Sequence, residues 1–239
     1  MFKRTLTLAL FLCVSPLSAI ADGATINGTI KYDGKVPKLP PLKMDADPDC
    51  AAKHKEAPLA EFLVLGAGNT LGNIFVNVKG GIPGKEHAAP SEPVVVNQQG
   101  CVYHPHVFGV VAGQPVMFKN TDGVLHNVHA LPKTNRPFNL AMPKTMVDSP
   151  HQSFAKVEEE AFPIKCDVHP WMNSYAKVMS HPYFSVTGPD GKFTLKGLPA
   201  GTYQIEAWHE KLGTMTQSVT VGANESKTAD FIFVRKEKA

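Results

Sequence analysis

Lys165-Cys-Asp-Val-His-Pro-Trp-Met172 puts a thiol, an imidazole and a thioether on one short stretch, and Leu125-His-Asn-Val-His129 lies upstream of it. Two His and one Cys in a trigonal plane, with a weak axial Met, form the ligand set of a blue-copper electron-transfer site. Cys166, His169 and Met172 on a loop, joined by His126 from a distant strand, would complete that set. Such a loop needs a rigid sheet to present its fourth ligand, so its reading bears on the fold of the whole chain.

Each residue type has a separate chemical reason. Cys166 must ionise to bind, and metal at the site lowers its pKa. His126 and His169 bind as neutral imidazoles that suit both copper oxidation states. Met172 would tune potential more than affinity. Cys and His three positions apart on a turn chelate one ion at little closure entropy.

The pattern around the stretch is β-rich. Short alternating or apolar runs are broken by Gly, Pro, Asn and Asp turns, with no long helical period, and this predicts an all-β sandwich or barrel. Strands are expected at 24–32, 73–79, 93–96, 108–111, 115–119, 126–130, 161–165 and 175–179. In 73–79 the alternation of Ile74, Val76 and Val78 with Phe75, Asn77 and Lys79 predicts a half-buried strand. The stretches 35–51 and 81–93 read as loops or a linker, and Leu131–Ser153 as a long weakly patterned segment with room for a short helix.

Residues 92–181 resemble the cupredoxins. The resemblance runs through Val110-Val-Ala-Gly-Gln-Pro-Val-Met-Phe-Lys-Asn120, His126-Asn127 and the Cys-x2-His-x2-Met loop, and is nearest to amicyanin in loop length and in Pro170 after the second His. It implies a Greek-key copper sandwich holding one type 1 copper through His126, Cys166, His169 and Met172. It also implies that Asn127 tethers the ligand loop to Cys166 or its neighbour, and that Pro170 and Trp171 stiffen the loop and shield the metal. The second His, His169, would lie at the surface in an apolar patch used as the electron exit.

After His181 the texture changes. Asp190-Gly-Lys-Phe193 and Gly197-Leu-Pro-Ala-Gly-Thr-Tyr203 resemble a carboxypeptidase regulatory-like (transthyretin-like) domain, which opens with a strand of the type Ile26-Asn-Gly-Thr-Ile30. This implies a small second β-sandwich. One arrangement is discontinuous, with 22–91 and 182–239 flanking a copper domain at 92–181; the other is a copper domain with a long N-terminal extension and a separate C-terminal domain.

Rival readings exist for each cluster. A structural Cys166 beside a satisfied His169 is the plainest. Zinc would accept Cys166, His169, His126 and His129 but leaves Met172 without a role. His129 lies three residues after His126 and so faces the other side of a strand. Cys101-Val-Tyr-His104-Pro-His106 could hold a second metal, since His104 and His106 would face the same way on an extended strand; surface histidines beside a disulfide are the alternative. His209-Glu210 reads as an exposed strand end and Glu158-Glu-Glu160 as a solvated turn.

Residues 1–21 read as a secretory signal: Lys3 and Arg4, an apolar run from Leu6 to Leu17, and Ala19-Ile-Ala21 before cleavage at Asp22. Leu12 before Cys13 argues against a lipoprotein signal, and the apolar run is short for a membrane span. The expected location is therefore periplasmic or secreted. Losing Lys3 and Arg4 leaves 22 basic against 21 acidic residues, a net +1 that gives no reason to expect nucleic acid or an anionic membrane surface as partner. Of the three remaining cysteines, Cys50 and Cys101 are left for a disulfide if Cys166 binds metal; two free thiols are the alternative. No catalytic motif appears. The expected role is one-electron transfer to and from protein partners such as a dehydrogenase or a c-type cytochrome, with copper sequestration or delivery as the rival.

Overall fold

A computed structural model describes residues 23–83 and 87–235, so the secretory signal expected at 1–21 lies outside the described residues. Among the described residues the chain is nearly all β, with the four-residue helix Pro48–Ala51 and one 3-10 turn, Ala67–Asn69. Strands fall close to their expected places, and 126–130 matches to the residue.

Two sandwiches account for the sheets. In the inner one, a five-stranded sheet runs Val107–Val111, Asn173–Met179, Phe162–Lys165, His126–Ala130, Phe138–Met142. It faces a four-stranded sheet ordered Val102–His104, Val94–Gln99, Pro115–Asn120, Gln152–Ser153. Their shared core takes Val96, Tyr103 and Phe118 from one sheet and Phe108, Val128, Ile164 and Val178 from the other. Alternate residues of Pro115–Asn120 point inward, as the period of two requires.

The outer sandwich uses strands from both ends of the chain. Ala24–Asp33 pairs antiparallel with Lys192–Leu198 and parallel with Ser226–Thr228 and Phe231–Val234. Its second sheet runs Phe184–Val186, Phe75–Gly80, Gly201–His209, Gly213–Val221. Ile26, Ile30, Leu195 and Phe231 meet Val76, Val78, Ile205 and Ala207 across the core.

The sandwiches meet along Phe75–Gly80 and Asn173–Met179. Gly109 permits the approach: a Cβ there would lie 2.6 Å from the rings of both Phe75 and Phe184. Lys177 reaches across, its Nζ donating to Glu206 Oε1 at 2.7 Å and Asn77 Oδ1 at 3.1 Å in a buried setting. This corrects the half-buried expectation for 73–79: Phe75 and Asn77 are as buried as Val76 and Val78, because the second face is covered by the inner sandwich.

Three further expectations change. The segment Leu131–Ser153 contains no helix; Phe138–Met142 instead adds an edge strand to His126–Ala130. Glu158 is buried, accepting the N–H groups of Lys133, Thr134 and Asn135. His209 is buried too, its Nδ1 accepting from the N–H groups of Lys211 and Leu212, while Glu210 turns toward the inner sandwich.

Candidate metal centre

Four of the residues singled out from the sequence meet at one end of the inner sandwich. His126, Cys166, His169 and Met172 are each at most 2% exposed. The Nδ1 atoms of His126 and His169 lie 2.9 Å apart, and Cys166 Sγ is 3.7 Å from His169 Nδ1. The far nitrogens are occupied by carboxylates: His126 Nε2 is 3.0 Å from Asp122 Oδ2, and His169 Nε2 is 2.9 Å from Asp47 Oδ2. A carboxylate on one ring nitrogen fixes the tautomer and leaves the other nitrogen for a metal. Met172 closes the loop, its N–H donating to His169 O at 2.9 Å and its O accepting from Cys166 N at 3.3 Å.

Sequence dictates this geometry locally. His126 opens a strand, so its ring projects from a fixed sheet position, while Cys166 follows directly on the neighbouring strand Phe162–Lys165. Tyr103 ties the two strands together, donating to Asn127 O at 2.5 Å and Lys165 O at 3.1 Å. Asn127 Oδ1 accepts the N–H of Asp167 at 2.6 Å, and its Nδ2 donates to Asp167 Oδ2 at 3.1 Å. The loop is thus anchored on both sides of Cys166.

Charge follows from these contacts. Burial pushes the Cys166 thiol up, but hydrogen bonding from His126 and the N–H groups of Asn127, His169 and Val168 more than offsets it and holds the thiol below its ordinary range. Burial also works against a charged His126, yet Asp122 and Cys166 hold its imidazole above the usual value. A thiol so placed ionises readily, and the thiolate is the metal-binding form.

The donor set fits a copper ion. Two imidazole nitrogens and one thiolate-prone sulfur lie within 4.8 Å of one another, donors that copper accepts, and Met172 is buried on the same loop. The same three donors could also hold zinc. His129 takes no part: half-exposed, it pairs with Asp167 Oδ1 at 3.0 Å.

Two expectations fail here. His169 is not at a surface patch; Asp47 and Cys50 cover it, with Cys50 Sγ 3.6 Å from Nε2. Trp171 stands beside it, ring centroids 4.9 Å apart, and donates to Cys101 O at 3.0 Å, while Pro170 stays exposed. The second cluster does not assemble either. Cys101 is bonded to Cys50, His104 is exposed, and His106 is buried against Glu210 Oε1 at 2.6 Å. The strand ends at His104 and the chain crosses to the other sheet before Val107, so the shared facing expected of an extended run is lost.

The sequence reasoning missed Asp47 and Asp122. Asp122 precedes His126 by one short turn, a local signal; Asp47 belongs to a Pro-rich loop distant in sequence and gave none.

No family model matches the chain, and no curated protein matches it. Among solved structures it is similar to the Cu-containing nitrite reductase (NirK) from Thermus scotoductus SA-01, at 20% identity and a TM-score of 0.34. That match covers 43% of this chain and 26% of the reductase, so the chain spans about a quarter of that protein's length. The purple cupredoxin from Nitrosopumilus maritimus is 19% identical over 36% of this chain and 99% of its own, with a TM-score of 0.30. An oxidised amicyanin carrying a proline substitution is 18% identical over 44% of this chain and 98% of its own, with a TM-score of 0.33. The inner unit is a β-sandwich of one five-stranded and one four-stranded sheet.

Proposed function

We propose that this chain is an exported copper protein that carries single electrons between redox partners through His126, Cys166, His169 and Met172. The observation that carries the reading is the convergence of two imidazole Nδ1 atoms and one sulfur in a buried pocket, each imidazole held from behind by a carboxylate. Copper bound there would supply one-electron chemistry, cycling between Cu(I) and Cu(II).

The chain's own part is geometric. Asp122 and Asp47 orient the imidazoles, Asn127 and Tyr103 hold the loop to the sheet, and Cys166 and Met172 are buried in the same apolar core as Val128, Met142 and Ile164. A pocket braced on every side keeps its shape between oxidation states, which suits electron transfer better than easy release of metal. The outer sandwich is proposed to be the carboxypeptidase regulatory-like module. The turn at Asp190-Gly191 and the strand pairing of 24–33 with 192–198 support that reading.

The carrier reading is tested by voltammetry of the copper-loaded protein. A reversible one-electron wave is expected. Metal lost on each reduction would favour sequestration or delivery instead.

A further inference from the structure

The carboxylate on His169 comes from outside the inner sandwich. Between its first two strands, Ala24–Asp33 and Phe75–Gly80, the outer sandwich sends out a long connection that crosses the metal end. Asp47 Oδ2 meets His169 there, while Asp47 Oδ1 accepts the N–H groups of Asp49 at 2.9 Å and Cys50 at 3.2 Å. The carboxylate is therefore held by its own turn rather than hanging free.

The crossing segment is pinned at several points. The disulfide from Cys50 ends at Cys101, whose N–H donates to Asp122, the carboxylate behind His126. The two clamps, one per imidazole, are thus joined by one covalent bridge. Lys53 Nζ donates to Asp122 O at 2.6 Å, and His54 Nε2 lies 2.7 Å from Gly100 O. The His169 edge is left 1% exposed.

Resting on the copper reading, we propose that Asp47 is a positioning residue of the metal centre and that residues 47–54 form a fixed strap closing the His169 edge to outside molecules. An anionic carboxylate behind the imidazole makes it a stronger donor and favours the more highly charged metal state. The strap removes the imidazole edge as a contact point, so partners reach the centre by another face.

The test compares wild type, Asp47→Ala and Asp47→Asn in full-length protein. In Cu(I)-loaded, diamagnetic samples, nitrogen-15 NMR follows exchange of the His169 Nε2 proton with water. A charge-assisted hydrogen bond implies exchange about tenfold or more faster in Asp47→Ala. Asp47→Asn, which keeps an acceptor oxygen, should recover part of the protection. The reduction potential should rise in both variants, and copper loss to a soluble chelator should quicken in Asp47→Ala. Unchanged exchange, potential and copper loss in Asp47→Ala would overturn the proposal. If wild type takes no copper, zinc-loaded samples give the same exchange comparison, so the clamp is judged apart from the copper reading.

Discussion

The two sandwiches bury their polar side chains for different ends. In the inner one, His126, His169, Ser174 and Asn127 gather near the end where Cys166 lies, and their partners are carboxylates, backbone groups and one another. In the outer one, Asn77 and Glu206 face outward from the core to meet Lys177 of the inner unit, and Glu210 meets His106. One unit makes a site and the other makes a joint. The connection carrying Asp47 is where these roles overlap, because the outer unit lends the site one of its two carboxylates.

The joint is the place to break that division first. Glu206→Ala strands the buried ammonium of Lys177 and should destabilise by about 3–5 kcal/mol in thermal or urea unfolding. Replacing Lys177 and Glu206 together by apolar residues should return much of that loss. Ile205→Ala tests the outer core alone: its side chain is fully buried, so about 2–5 kcal/mol is expected. Metal affinity measured on the still-folded fraction should not change.

His209 sharpens the comparison with pH. Burial pushes its imidazole down to about 4 from an ordinary 6.5. The unfolded chain therefore takes up the proton first as pH falls, and stability is lost between about 6.5 and 4. By pH 4 the loss attributable to this group is about 3 kcal/mol. His209→Asn removes the proton uptake, so its unfolding free energy should fall less steeply over that window.

Tyr103→Phe is the gentlest change. It removes the buried hydroxyl that donates to the carbonyls of Asn127 and Lys165, which costs about 1–3 kcal/mol. Hydrogen exchange should quicken in the ligand loop and leave the outer sandwich unaffected.

What the sequence made legible was local. Turn residues bounded the strands, alternation marked the inward faces, and the Cys-x2-His-x2-Met spacing brought its residues onto one loop. Hidden in it were facts set by contacts between distant segments. Phe75 and Asn77 read as an exposed face because nothing in 73–79 announces that a second sandwich covers it. His209 and Glu158 read as solvent-facing because their hydrogen-bond partners are backbone groups, which leave no mark in composition. The burial of His169 was invisible for the same reason: its cover is a four-residue helix in a loop more than a hundred residues earlier in the chain.

The most direct test of the metal centre is the visible absorption of the Cu(II)-loaded protein beside Cys166→Ala. Copper bound through the thiolate predicts an intense blue or green charge-transfer band in wild type and none in Cys166→Ala. A colourless wild type, or a band that survives loss of the sulfur, would contradict it.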